Sequence, residues 1–128
     1  MDDAAALEIM SRFGKAFFKK DPLLLAGAVT EDAEWHQDSG PDAPHGRVFK
    51  GVDGFLQGIA VKDALNESQR FNDVVIRALG EDSIVMTYLL SGKRRGGPEF
   101  SLRGVELITV RDGRICKKDV FHKQVREA

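Results

Sequence analysis

Glu106, Asp119 and Tyr88 are the residues of this 128-residue chain whose types and positions suggest chemistry. The stretch RDGRICKKDVFHK, Arg111 to Lys123, reads as a tight turn running into a strand. Asp112-Gly113 within it is a strong signal for a two-residue hairpin loop. Such a loop sets Val110 opposite Ile115, Ile108 opposite Lys117 and Glu106 opposite Asp119. Cross-strand partners project from the same sheet face. On the first strand that face carries Phe100, Leu102, Gly104, Glu106, Ile108 and Val110, so Glu106 is its polar exception. A carboxylate in apolar surroundings is costly unless it is neutralised or paired. Two carboxylates that face each other do not both ionise comfortably. The acid that keeps its proton near neutrality is suited to general acid–base catalysis.

The same residues admit a structural role. Lys117 and Lys123 could neutralise both acids at a wet sheet edge. The opposite face, with Val105, Leu107, Cys116, Lys118, Val120 and His122, is not purely polar. A single-residue bulge would reverse Asp119 and leave Glu106 in place. On the preceding strand Ile84, Met86, Tyr88 and Leu90 are the bulkier alternating set and are expected to point inward. Tyr88, the only tyrosine, then either donates to a developing oxyanion or closes a core hydrogen bond. Alternation in TEDAEWHQD puts Ala33, Trp35 and Gln37 on one side and Glu34, His36 and Asp38 on the other. Trp35 reads as core or pocket wall, and Gln37 as a group that could bind a ligand carbonyl.

Other chemistries find little support. His36, His45 and His122 lack metal-ligand spacing, so no zinc site is expected. No phosphate-binding loop, dinucleotide fingerprint or nucleophile elbow occurs. A net charge of -1 supplies no basic groove for nucleic acid. The cluster Lys93 to Arg95, flanked by Gly96, Gly97 and Pro98, reads as a hairpin loop. Cys116 is the only cysteine, which excludes an intrachain disulfide and suits a reducing cytoplasm. The start, MDDAAALEIM, lacks the basic-then-apolar order of a secretory signal. No apolar run approaches the roughly 18–20 residues that span a bilayer. A cytoplasmic protein without membrane contact is expected.

The elements that must position these residues follow from pattern. Leu7, Met10, Phe13 and Phe17 form a helical stripe with Asp2 or Asp3 as cap. KKDP ends it, and Pro22 opens a second helix, Leu23 to Val29, capped by Asp21. A strand over TEDAEWHQD and a Gly/Pro-rich loop, Ser39 to Gly46, lead to a third helix over GVDGFLQGIAVKDAL. RFNDVVIRAL, SIVMTYLLSGK, EFSLRGVELITV and RICKKDVFHK then read as strands parted by turn signals. Helices followed by antiparallel strands mean an α+β domain, expected to be single over residues 1–128.

KKDP after the first helix, TEDAEW into the first strand, FKGVDGF into the third helix and the final VRDGRI hairpin carry a resemblance. Across almost its whole length the chain resembles the nuclear transport factor 2-like superfamily, in particular its SnoaL-like branch. The resemblance implies a cone: a strongly curved mixed sheet packed on three helices around an apolar pocket. It implies enzymes that need no cofactor and homodimers formed through the outer sheet face. Carried over position by position, the steroid isomerase sites fall on Phe13, Gln37 and Glu106. Of these only Glu106 keeps the chemistry. The middle-strand pair of the epoxide hydrolases falls on Met86 and Tyr88. The last-strand acid of those enzymes and of the polyketide cyclases falls nearest Asp119, with one residue fewer after the turn glycine. The combined expectation is a cofactor-independent isomerase or cyclase, or a related lyase or hydrolase, acting on a small apolar cyclic or carbonyl-bearing molecule. In it Asp119 is the base, Glu106 an acid or proton partner, and Tyr88 and Gln37 are polar anchors. Phe13, Phe17, Trp35, Phe55 and Met86 shape the cavity. The alternative is a non-catalytic binding or assembly domain of the same fold.

Overall fold

A computed structural model describes residues 1–124; the last four residues of the expected 1–128 domain lie outside the described residues. Helix α1 spans Asp3–Lys19. The Asp2 carboxylate accepts a hydrogen bond from the Ala5 backbone N–H, and Lys20 closes the helix in the left-handed conformation. Helix α2, Pro22–Ala28, is capped by Asp21, which accepts from Leu23 N and Leu24 N. Strand β1 is Val29–His36, the short strand β2 is Val48–Lys50, and α3 is Gly51–Leu65. Strands β3, Asn66–Leu79, β4, Ser83–Arg94, β5, Glu99–Arg111, and β6, Arg114–Lys123, follow among the described residues.

The six strands form one curved, unclosed sheet in the order β2-β1-β6-β5-β4-β3. All neighbours are antiparallel except β1 and β6, which makes the sheet mixed. Strand β2 was not expected from the sequence: three residues are too few to show alternation, and they pair only with β1.

The three helices pack on the inner face. Phe55, Trp35, Leu25, Ile84, Ile108 and Ile115 are fully buried there. Gly58 on α3 lies directly against the Trp35 ring, where a Cβ would collide with the ring carbons. The helix accepts the propensity cost of glycine because the indole must fit beneath it.

Two expectations about which residues face inward are corrected. Leu7 is 53% exposed, and the buried stripe of α1 runs through Ala6, Met10, Phe13 and Ala16. Close approach of α1 to its neighbours favours small side chains on the buried face, a preference that bulk alone does not reveal. The second correction concerns β6. Arg111 faces Arg114 and Val110 faces Ile115 as expected, but Thr109 faces Lys117. Cys116 is therefore an extra residue, a β-bulge, and its Sγ lies 3.5 Å from the Thr109 carbonyl. Beyond it Ile108 faces Lys118, Leu107 faces Asp119 and Glu106 faces Val120. Side-chain alternation has a period of two, so one extra residue exchanges every later side chain between faces.

Candidate functional site

Inward alternation on β4 and β5 places Tyr88 and Glu106 beneath the helices, both buried. The Tyr88 hydroxyl donates to Glu106 Oε2 at 2.8 Å. Tyr88, Gly104 and His122 form a row across β4, β5 and β6. A Cβ at Gly104 would strike the Tyr88 ring and hydroxyl, so the missing side chain is what lets the phenol lie over β5. The Tyr88 oxygen also sits 3.2 Å from His122 Nε2. His122 Nδ1 lies 3.2 Å from Asp38 Oδ2, and Lys62 of α3 donates to Asp38 Oδ1 at 3.1 Å.

The bulge brings Lys118 inward beside these groups. Its Nζ lies 3.1 Å from Glu106 Oε1, close enough for an ion pair but off the line of an aligned hydrogen bond. The same ammonium is 4.5 Å from the Trp35 ring centroid and 5.9 Å from those of Phe13 and Phe17, an aromatic enclosure favourable to a cation. A continuous polar chain thus runs Lys118, Glu106, Tyr88, His122, Asp38, Lys62.

Burial and the neighbouring Glu106 charge push the Tyr88 hydroxyl far above the ordinary phenol range, so it stays neutral. Burial lowers the Lys118 amine, although Glu106 opposes that shift. Burial raises the Asp38 carboxyl, but the His122 hydrogen bond and the Lys62 charge outweigh it and hold Asp38 well below the usual carboxylate range.

Hydrogen-bond stoichiometry limits the protons. Tyr88 has one hydrogen to give. If it goes to Glu106, the His122 Nε2 that faces the Tyr88 oxygen carries the hydrogen of that contact and donates it. If it goes to His122, Glu106 must be protonated and donate to Tyr88. The two arrangements differ by a concerted shift of two protons, a geometry that allows a proton to pass between Glu106 and His122.

Two cavities flank this chain. An apolar one of about 200 Å³ lies between α1 and β3, walled by Met10, Phe13, Phe17, Phe71 and Met86, with Ser11, Glu106 and Lys118 as its polar groups. Its rim carries Phe18 and Val74, both exposed. A bulge in β3 between Asn72 and Val75, with Asp73 at φ 52°, turns Val74 toward this space. The second cavity, about 260 Å³ and more polar, is lined by Gln37, Asp38, Lys62, Arg94 and His122. Between them a void of about 30 Å³, the size of a water molecule, touches Glu106, Tyr88, Lys118 and His122.

Of the residues singled out from sequence, Glu106 and Tyr88 meet directly, and Phe13, Phe17 and Met86 wall the apolar cavity. Trp35 borders the small void, and Gln37 borders the polar cavity with its Nε2 buried and unpartnered. Phe55 is fully buried against the rings of Phe13 and Trp35, in the core rather than on a cavity wall. Asp119 is on the outer face beside Leu79, Leu107 and Lys117, so it does not face Glu106. Lys118, His122, Asp38 and Lys62 take part without having been expected. Lys118, Val120 and His122 share parity on β6, a signal that becomes readable once the bulge is placed. Asp38 escaped because β1 ends at His36 and strand alternation no longer governs the residues after it.

A family model described as the SnoaL-like domain matches residues 10–118, most of the chain. The chain belongs to the SnoaL-like domain family. No curated protein matches this SnoaL-like chain in sequence. Solved structures with the same fold include a nuclear transport factor 2-like protein from Burkholderia xenovorans LB400, 17% identical, with TM-score 0.80 over 96% of this chain and 92% of that one. A candidate polyketide cyclase from Xanthomonas campestris pv. campestris is 18% identical, with TM-score 0.76 over 94% and 92% of the two chains. TerC, co-crystallised with polyporic acid, is 18% identical, with TM-score 0.74 over 93% and 92%. At these identities the likeness is one of fold, and one fold hosts many chemistries. The chemistry open to this SnoaL-like domain rests on the groups that its own residues bring together.

Proposed function

We propose that this SnoaL-like protein is a cofactor-independent acid–base enzyme of the isomerase or cyclase kind. Its substrate is a small apolar molecule bearing a carbonyl group. The observation that carries this reading is Glu106: a carboxyl group on the wall of an apolar cavity, joined through Tyr88 and His122 to Asp38. Glu106 takes or gives a proton at carbon or oxygen of the bound molecule. Tyr88 and His122 restore its protonation through the two-proton shift, and Asp38 holds the imidazole in place. The cavity volume suits about one six-membered ring, since a cavity of roughly 150 Å³ accepts benzene. The family membership and the fold shared with a candidate polyketide cyclase support the same class of chemistry.

Exchange of deuterium into the α-positions of cyclohexanone, followed by NMR in heavy water, tests the reading without knowledge of the natural substrate. The wild-type protein is expected to accelerate exchange, and Glu106→Gln to lose about 10²–10⁴-fold of that acceleration. Tyr88→Phe, which keeps the ring and removes only the hydroxyl, is expected to lose activity too, providing a milder variant if Glu106→Gln folds poorly. Exchange that is equal in all three proteins rules the reading out. Cyclohexanone that binds without catalysed exchange points instead to a binding domain.

A further inference from the structure

A buried ion pair rarely stabilises a fold better than apolar residues of the same size. Lys118 and Glu106 form such a pair with side chains 6% and 4% exposed, on the wall of an apolar cavity. The acid–base reading uses Glu106 and gives the amine no reaction of its own. Three features of its surroundings suit a nucleophile. The cavity brings an apolar carbonyl compound within reach. Glu106 Oε1, 3.1 Å from Nζ, is placed to accept and return protons. The rings of Trp35, Phe13 and Phe17 lie around the nitrogen and favour a cation there, as the protonated imine would be.

We infer that Lys118 is a covalent catalytic residue that condenses with the carbonyl group of an aldehyde or ketone in this cavity to form an imine. The step balances within the site. The Lys118 ammonium passes one proton to the Glu106 carboxylate. The neutral amine attacks the carbonyl carbon: a C–N bond forms, and the C=O π pair moves to oxygen. A nitrogen-bound proton reaches that oxygen to give a carbinolamine. The proton held by Glu106 then goes to the hydroxyl group, the C–O bond breaks and water leaves. The product is a protonated imine facing the Glu106 carboxylate. Its positive nitrogen acidifies the neighbouring C–H bonds.

The charged and titratable groups facing the amine are Glu106 from β5, Lys62 from α3, Asp38 from the segment after β1, and Tyr88 and His122 across the small void. Lys62 disfavours the ammonium, while Glu106 and Asp38 favour it. With burial the balance lowers the Lys118 amine from its usual value, which raises the neutral fraction at neutral pH.

Reductive trapping tests the inference on the unaltered protein. The chain is incubated at pH 7 with cyclohexanone and sodium cyanoborohydride, digested and mapped by mass spectrometry. The expected result is an N-cyclohexyl group on Lys118 at a higher level than on any other lysine, since a lowered amine holds more of its neutral form at pH 7. Gly14→Leu, which fills the cavity from α1, is expected to abolish that adduct. Adducts confined to exposed lysines, or a Lys118 adduct that survives Gly14→Leu, overturn the inference. The imine needs the cavity and Glu106 but not the Tyr88–His122 relay. Trapped Lys118 without α-exchange therefore sinks only the acid–base reading, and α-exchange without trapped Lys118 sinks only the imine.

Discussion

At the scale of single residues, the protons between Glu106 and His122 move together, because Tyr88 has one hydroxyl hydrogen and two neighbours that can accept it. Asp38 anchors the far end. It accepts from Lys62 and lies 3.2 Å from His122, and its carboxyl is held low in the folded chain. An acid held low binds its proton more weakly in the folded than in the unfolded chain, where Asp titrates near about 3.9. The stability that Asp38 contributes is therefore present above about pH 4 and is lost as pH falls through the folded value. Asp38→Asn keeps the shape and removes the charge. It is expected to lower stability at pH 7 by about 2 kcal/mol in urea denaturation. It should also flatten the loss of stability below about pH 4. Identical acid limbs for the two proteins would show that Asp38 does not carry that dependence.

At the scale of elements, the deciding feature is the β6 bulge. Alternation along β4 and β5 was legible in sequence: Ile84, Tyr88, Leu90, Leu102, Glu106 and Ile108 are all buried. The turn at Asp112-Gly113 was legible too, since Arg111 faces Arg114. The face of Asp119 was not. Nothing in RICKKDV marks Cys116 as extra, because bulge placement depends on how β6 pairs with β1 on one side and β5 on the other. Deleting Cys116 tests the register. If Cys116 is the extra residue, its loss leaves a regular ladder in which Ile115, Lys118 and Val120 still face inward. The shortened protein is expected to fold with a cost of about 1–2 kcal/mol, read by urea denaturation. A loss of about 4 kcal/mol or more, or an unfolded chain, would refute the register.

At the scale of the whole molecule, the sheet curves over three helices without closing, and the gap between α1 and β3 is the apolar cavity. Gly14 lines it, and a Cβ there would meet nothing within 4 Å. Gly14→Leu should therefore fill the cavity and remove a poor helix former together. Thermal denaturation is expected to show a gain of about 1–2 kcal/mol. Cyclohexanone at a hundredfold excess over Kd should stabilise the wild-type protein by about 2.7 kcal/mol and leave the variant unmoved. A variant that still responds to the ligand would place binding elsewhere.

By itself the sequence determined the α+β class, the helix cap at Asp21, the choice of Asp2 or Asp3 as the first cap, the glycine turns and the inward set on β4 and β5. These depend on local propensity and on a period of two or 3.6, which neighbouring residues express within one segment. Only the tertiary structure decided that the side chain of Lys118 rather than Asp119 reaches Glu106, and that Asp38 and Lys62 join His122. Those outcomes turn on a one-residue shift in a ladder shared by three strands and on a loop beyond the end of β1. Contacts between distant segments fix both, and no local pattern encodes them.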